Sequence, residues 1–272
     1  MSGLGEKVCV VTGASGGIGE ATARALAARG ATVVLAARRA GRLEEIAEGI
    51  GRETGRPAIP VTCDVGDVEQ VKILVARVKR DHGRCDVLVN NAGVPGGGAF
   101  ADLSLEQIEH VVQVNLLGVV YCTRLFLPLL RASKGHMVNV ASLAGRYALP
   151  GAAVYTATKH AVVAFSEALY HELAGDGVMV TSVNPGLVAT EGFFPEDSPL
   201  WRDPLLRRFI MDPRKVAEAV VTVIRTRKGP EVSVPRWLAG PQAFRVLAPP
   251  LYRAAMRRVV AGRARRSAPP PS

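Results

Sequence analysis

Short β-branched runs alternate with longer amphipathic stretches along most of the chain. Lys7 to Thr12, KVCVVT, is a continuous apolar run followed by a glycine and reads as a buried strand. Similar runs recur at Thr32 to Ala36, Pro57 to Thr62, within DVLVNNAG, at Gly135 to Ala141, Val178 to Val183 and Glu231 to Val234. Between them the apolar positions take helical spacing. An alanine-rich helix stops at Gly30, another spans Arg42 to Arg52, and a third follows the N-capping Asp67. Ser104 and Gln107 form a capping box opening a long helix through about Leu130, and Gly151 to Ala174 reads as the next helix. Asp212-Pro213 starts another by N-cap and N1 chemistry. Six alternations of strand and helix predict a single α/β domain: a doubly wound parallel sheet of about seven strands flanked by helices. Ligands of such sheets collect at the carboxyl ends of the strands.

The residues at those ends carry the candidate chemistry, and the fold they suggest is Rossmann-like. TGASGGIG follows the first strand; Gly13, Gly17 and Gly19 let the backbone turn tightly, approach a pyrophosphate and pack helix against strand, with Ser15 and Ile18 in the same turn. A carboxylate after the second strand would bind a ribose, whereas an arginine fits a 2′-phosphate. This chain has Arg38 there, which favours NADP(H), and Arg39 reads as a solvated arginine opening the next helix. Asp64 ends the third strand, where it is placed to accept from an adenine amino group, with Val65 beside it. Asn91, Ala92 and Gly93 are expected to pass close to the same cofactor, while Asn90 braces neighbouring strands.

Tyr155 and Lys159 stand one helical turn apart, four residues beyond Gly151 at the nearer end, and Ser142 ends the fifth strand. A phenol titrates near ~10, and bringing it about three units lower requires roughly 4 kcal/mol of phenolate stabilisation. The Lys159 ammonium is expected to supply part of this, with the Ser142 hydroxyl beside the reacting oxygen. Asn115 lies among apolar neighbours, where it is either a buried amide bonded to backbone or one post of a water-mediated proton path toward Lys159. The sixth strand delivers Pro185, Gly186, Val188 and Thr190.

The composition narrows the class. The 272 residues carry a formal charge of +10, but from Arg236 onward there are eight arginines and no acid, so the rest of the chain carries only +2. The basic character therefore belongs to the C-terminal extension, residues 236–272. Leu251 to Gly262 there forms a basic amphipathic piece that fits an anionic membrane surface or packs over the substrate cleft, and SAPPPS at the end is expected to be disordered. Nucleic acid is not expected as a partner, because the tail lacks interleaved aromatics. Cys9, Cys63, Cys85 and Cys122 are widely spaced without a metal-ligand pattern and read as reduced core thiols of a cytoplasmic protein. The N-terminus has no leader pattern, and no apolar run approaches the ~20 residues of a membrane span. Residues 190–211 are irregular and aromatic, and read as a substrate lid.

With TGASGGIG, NNAG, Asn115, Ser142, Tyr155-x-x-x-Lys159 and NPG in this order, residues about 5 to 235 resemble the short-chain dehydrogenase/reductase family. The resemblance implies that Tyr155 is the acid/base, that Lys159 binds the nicotinamide ribose and depresses the tyrosine pKa, and that Ser142 polarises the substrate oxygen. It implies further that Asn115 holds a relay water, that Gly13 to Gly19 cradle the pyrophosphate, that Arg38 marks NADP preference, that Asp64 meets adenine, and that Pro185 to Thr190 line the nicotinamide amide. The expected activity is hydride transfer between NADP(H) and a carbonyl or secondary alcohol, in a homodimer or homotetramer. Leu143, Leu149, Leu187, Phe193, Phe194 and Trp201, with Leu200, predict an apolar substrate. The glycine-rich strand that ends many family members is followed here by the arginine-rich extension, as in a subgroup acting on lipid-like alcohols and ketones, including steroids and retinoids, at membranes. Two other readings are an NADP(H)-sensing protein without turnover and a membrane-associated scaffold using the tail.

Overall fold

A computed structural model describes residues 4–190 and 208–254. Seven strands form one parallel sheet in the order β3-β2-β1-β4-β5-β6-β7. They are β1 (Val8–Thr12), β2 (Thr32–Ala37), β3 (Ile59–Thr62), β4 (Val87–Asn90), β5 (His136–Val140), β6 (Met179–Pro185) and β7 (Glu231–Val234). The chain winds outward from β1 to β3, then crosses back to β4 on the other side of β1. That reversal opens a crevice between the carboxyl ends of β1 and β4.

The helices α1 (Gly17–Ala27), α2 (Ala40–Thr54) and α7 (Pro213–Thr226) bury their apolar stripes on one face of the sheet, against residues such as Cys9, Val11, Val33 and Leu35. The opposite face takes α3 (Val68–His82), α5 (Gly118–Ser133) and α6 (Ala153–Glu172), with Leu74, Phe126, Leu130 and Met137 fully buried between them. Strands covered on both sides read as unbroken apolar runs, which is the pattern of β1. Caps act as the residue types dictate: Asp67 accepts from the amides of Glu69 and Gln70, and Ser104 with Gln107 makes the reciprocal capping box. All four cysteines are free and buried.

The long helix predicted from Ser104 departs from the expectation. It continues to Ser133 but is wound in three pieces: α4 (Leu105–Val112), a π-helical turn at Gln113–Leu117, and α5. One added residue widens the turn and swings Asn115 toward the loop after β4, where the backbone of Val94 takes up its amide. The 29 residues from Leu105 to Ser133 are long and apolar enough to cross a membrane. Their apolar side is instead packed into the core, with Cys122 and Phe126 out of reach of solvent.

After β7 the extension folds back. A 3₁₀ turn at Arg236–Leu238 leads into α8 (Ala239–Leu247), and 249–254 are again helical. Tyr147 donates to the Leu238 carbonyl at 3.1 Å and Gln242 to Ser233 Oγ at 3.0 Å. Packing against the body of the domain is the arrangement of this part; the remainder of the predicted amphipathic piece lies outside the described residues.

Candidate active site

The crevice between β1 and β4 holds a cleft of about 630 Å³, within the usual size of a cofactor and substrate site. One end is polar and basic. Gly13, at φ +65°, turns the chain so closely under the next loop that a Cβ would lie 2.8 Å from Ala92 Cα. No side chain caps the amides at the start of α1, which begins at Gly17 beside Ser15 and Gly16. Gly13, Ser15, Gly17 and Ile18 all line the cleft. Gly19, expected among the cofactor ligands, does not. Its Cβ would sit 2.2 Å from the Gly13 carbonyl oxygen, so it serves to bring α1 against the turn.

The arginines after β2 divide differently from the expectation. Arg39 is not simply solvated: its Nη2 donates to the Ser15 carbonyl at 2.7 Å and its Nε to Ser15 Oγ at 3.2 Å, which lays the guanidinium over the glycine turn. Arg38 lines the same end and stands 3.9 Å from an oxygen of Asp64. The other Asp64 oxygen accepts from the Gly66 amide at 2.9 Å. This end of the cleft thus offers two guanidiniums, a hydroxyl and the open amides of α1, with Val65 as an apolar wall.

The middle is held by a residue the sequence reading passed over. Thr12 Oγ1 accepts from the amides of Asn91 and Ala92 at 3.0 and 3.1 Å, while Asn91 Nδ2 donates back to the Thr12 carbonyl at 3.0 Å. A threonine at a strand end beside an Asn-Asn-Ala-Gly loop was the available signal. Asn91, Ala92 and Gly93 line the cleft, and Asn90 braces the sheet by donating to Asn139 Oδ1 at 2.8 Å.

At the far end Ser142, Tyr155 and Lys159 converge. The Ser142 hydroxyl hydrogen-bonds Tyr155, and Lys159 Nζ lies 5.6 Å from the centre of the tyrosine ring. Nζ donates to the Val140 carbonyl at 3.3 Å. Burial pushes the Tyr155 phenol up to about 12, with the Ser142 hydrogen bond working the other way. Burial also brings the Lys159 ammonium down to about 8. The expected depression of the phenol by Lys159 is therefore not what the protein alone sets up: removal from water raises the phenol, and the Ser142 hydrogen bond is what works against it.

Asn115 is fully buried and does not reach the cleft with its amide. Its Oδ1 accepts from the Val94 amide at 2.8 Å and its Nδ2 donates to the Val94 carbonyl at 2.9 Å. Of the two sequence readings, the side chain takes the backbone-bonded one. It still stands close to the site, since a Cβ on Gly93 would be 3.2 Å from Asn115 Oδ1 and 3.6 Å from Lys159 Nζ.

Pro185, Gly186, Val188 and Thr190 line the wall opposite Asn91, and Leu143, Leu149 and Leu187 line the mouth together with Val94 and Pro95. Phe193, Phe194, Leu200 and Trp201 lie outside the described residues, as does most of the predicted lid. Its two ends are joined: Met211 donates to the Leu187 carbonyl at 2.8 Å and accepts from Ala189 at 2.9 Å. A basic end, a glycine cradle with open amides, and a hydroxyl pair beside a lysine together fit a dinucleotide with a small molecule against the tyrosine.

Known proteins place this geometry. A family model described as short chain dehydrogenase matches residues 7–198. An oxidoreductase of Staphylococcus saprophyticus is 38% identical over 229 residues, which cover 83% of this chain and 94% of the relative. Among solved structures, an alcohol dehydrogenase from the archaeon Thermococcus sibiricus complexed with 5-hydroxy-NADP is similar with a TM-score of 0.75 and 32% identity, covering 84% of this chain and 95% of the other. A short chain dehydrogenase/reductase from Burkholderia phymatum in complex with NAD aligns with a TM-score of 0.81 and 30% identity, over 92% of this chain and 96% of its own.

Proposed function

The chain belongs to the short-chain dehydrogenase family and is an oxidoreductase of that type; on that premise we propose that it is an NADP(H)-dependent enzyme acting on an apolar ketone, aldehyde or secondary alcohol. The observation that carries the reading is the Ser142–Tyr155 hydroxyl pair, with Lys159 one helical turn on, at the inner end of the cleft whose other end is basic. NADPH, when bound, supplies the hydride. Gly13, Ser15, Gly17 and Ile18 would hold the pyrophosphate, and Asn91 to Gly93 with Pro185 to Thr190 would flank the nicotinamide half.

In reduction, Ser142 and Tyr155 donate hydrogen bonds to the substrate oxygen, and Tyr155 gives up its proton as negative charge develops there. A phenol that burial keeps protonated is suited to this role as acid. The Lys159 ammonium beneath the ring then stabilises the phenolate left behind. Asn115 acts through the backbone it holds at Val94, keeping the loop beside Lys159 in place. Arg38 and Arg39 line the basic end of the cleft, which supports NADP(H) over NAD(H), and Leu143, Leu149 and Leu187 support an apolar substrate. NADPH oxidation over a panel of carbonyl compounds graded by hydrophobicity tests the reading: turnover rising with apolar size is expected, and inactivity across the panel favours a cofactor-sensing protein instead.

The assembly proposed is a homodimer or homotetramer, to be measured by light scattering. Trp237, Val246, Leu247 and Leu251 are exposed on the extension next to Arg236 and Arg253, which supports peripheral contact with an anionic membrane. Vesicle co-sedimentation that depends on anionic lipid is the expected result.

A further inference from the structure

One guanidinium of the extension joins the two halves of the catalytic pair. Arg245 Nη1, on α8, lies 2.9 Å from His160 Nε2 and also donates to the carbonyl of Arg146. A terminal guanidinium nitrogen carries two hydrogens, one for each acceptor. His160 Nδ1 is 2.9 Å from the carbonyl of Thr156. A carbonyl only accepts and a guanidinium only donates, so the contacts assign Nδ1 as the donor to Thr156 and Nε2 as the acceptor from Arg245.

The two acceptors belong to residues close along the chain to the reacting groups. His160 and Thr156 follow Lys159 and Tyr155 in α6. Arg146 ends the turn Leu143–Gly145 that follows Ser142. That turn is pressed on α6 backbone to backbone, for a Cβ on Gly145 would lie 2.7 Å from the Lys159 carbonyl oxygen. The Arg146 side chain is tied at the same time to Glu231 of β7, which also accepts from Asn184 at 2.6 Å. Arg146 also stands 4.0 Å from Glu167 of α6, so a long ion pair and the Gly145 contact already join the turn to the helix. The Arg245 bridge adds short hydrogen-bond contacts to both partners at once.

We propose that Arg245 is a positioning residue: through His160 and the Arg146 carbonyl, the C-terminal extension sets the distance between Ser142 and the Tyr155–Lys159 helix. The extension is then part of the active-site frame and not an appendage to it. The inference rests on the proposed reaction for its kinetic consequence, but its structural content can be measured without substrate.

The test compares Arg245→Ala, Arg245→Lys and wild type as full-length proteins. Misplacing reacting groups by about 1 Å costs on the order of a hundredfold in rate. Arg245→Ala is expected to lose roughly ten- to a hundredfold in kcat, with NADPH affinity, read by cofactor fluorescence, within about twofold. Lysine, which keeps charged donors, is expected to restore most of the loss. Independently, hydrogen exchange of the free protein is expected to rise at residues 143–147 in the alanine variant and not at residues 8–12 of β1. Unchanged exchange at 143–147 overturns the proposal, and so does a fall in NADPH affinity as large as the fall in kcat. Inactivity of the wild type on every carbonyl tested would strike the proposed function alone, leaving the exchange result to decide this one.

Discussion

The Lys159 ammonium sits 5.6 Å from the centre of the Tyr155 ring, yet its hydrogen bond goes to the Val140 carbonyl and not to the phenol. Both groups are buried, and burial drives them in opposite senses: the phenol up to about 12, the ammonium down to about 8. Within the bare protein the tyrosine is held as an acid beside a lysine whose charge is lost just above neutrality.

For the free enzyme, kcat/KM for reduction is expected to be level below about pH 8 and to fall above it as Lys159 loses its proton. Tyr155 keeps its proton throughout that range. Initial rates in overlapping buffers from neutrality to mildly alkaline pH give the profile; an alkaline limb beginning only beyond pH 10 would contradict the assignment to Lys159.

The same burial makes Lys159 a stability cost in the cofactor-free protein. A base whose pKa is lower folded than unfolded binds its proton better in the unfolded chain, so the penalty is complete below about 8 and fades as pH rises toward the unfolded value. Lys159→Met is therefore expected to stabilise the free protein by about 3 kcal/mol at pH 7, and by less at pH 9.5, while abolishing turnover. Urea unfolding of both proteins at the two pH values measures the difference.

Tyr155→Phe removes the acid but leaves the ring in its packing. A loss of about 10²- to 10⁴-fold in kcat is expected, with NADPH binding retained. Undiminished turnover of a substrate found in the panel would rule Tyr155 out as proton donor.

Arg38 and Arg39 are separable by their contacts, one near Asp64 and the other over Ser15. Each alanine substitution is expected to weaken NADPH roughly tenfold through loss of a charge-assisted hydrogen bond, and to leave NADH within about twofold. Titration of intrinsic fluorescence with both cofactors reads the ratio. If Arg39→Ala leaves NADPH affinity intact, its guanidinium only braces the glycine turn.

Asn115→Ala strands the amide and carbonyl of Val94 in a half-buried place. A destabilisation of roughly 2–4 kcal/mol is expected, from two unsatisfied backbone groups at about 1–2 kcal/mol each. Chemical denaturation with an unchanged m value checks it; a change below about 0.5 kcal/mol would show that water replaces the amide and that the clamp is dispensable.

Much of this protein was legible along the chain because the deciding signals are local. Strand runs, helical spacing, the caps at Asp67, Ser104 and Asp212, and the glycine turn act between residues a few positions apart, so their order implied a parallel sheet with ligands at one edge. The spacing of Tyr155 and Lys159 put them on one helix face for the same reason. What only the tertiary structure decided depends on groups distant in sequence. Arg39 rather than solvent lies over Ser15 because β2 brings the next helix back across the first turn. Asn115 is spent on Val94 because a π turn faces it toward the loop after β4. The extension packs against the domain because Tyr147, Ser233 and His160 meet it there. The phenol of Tyr155 is raised, not lowered, because its proton affinity is set by how much water the whole fold excludes, a quantity that no spacing of residues along the chain contains.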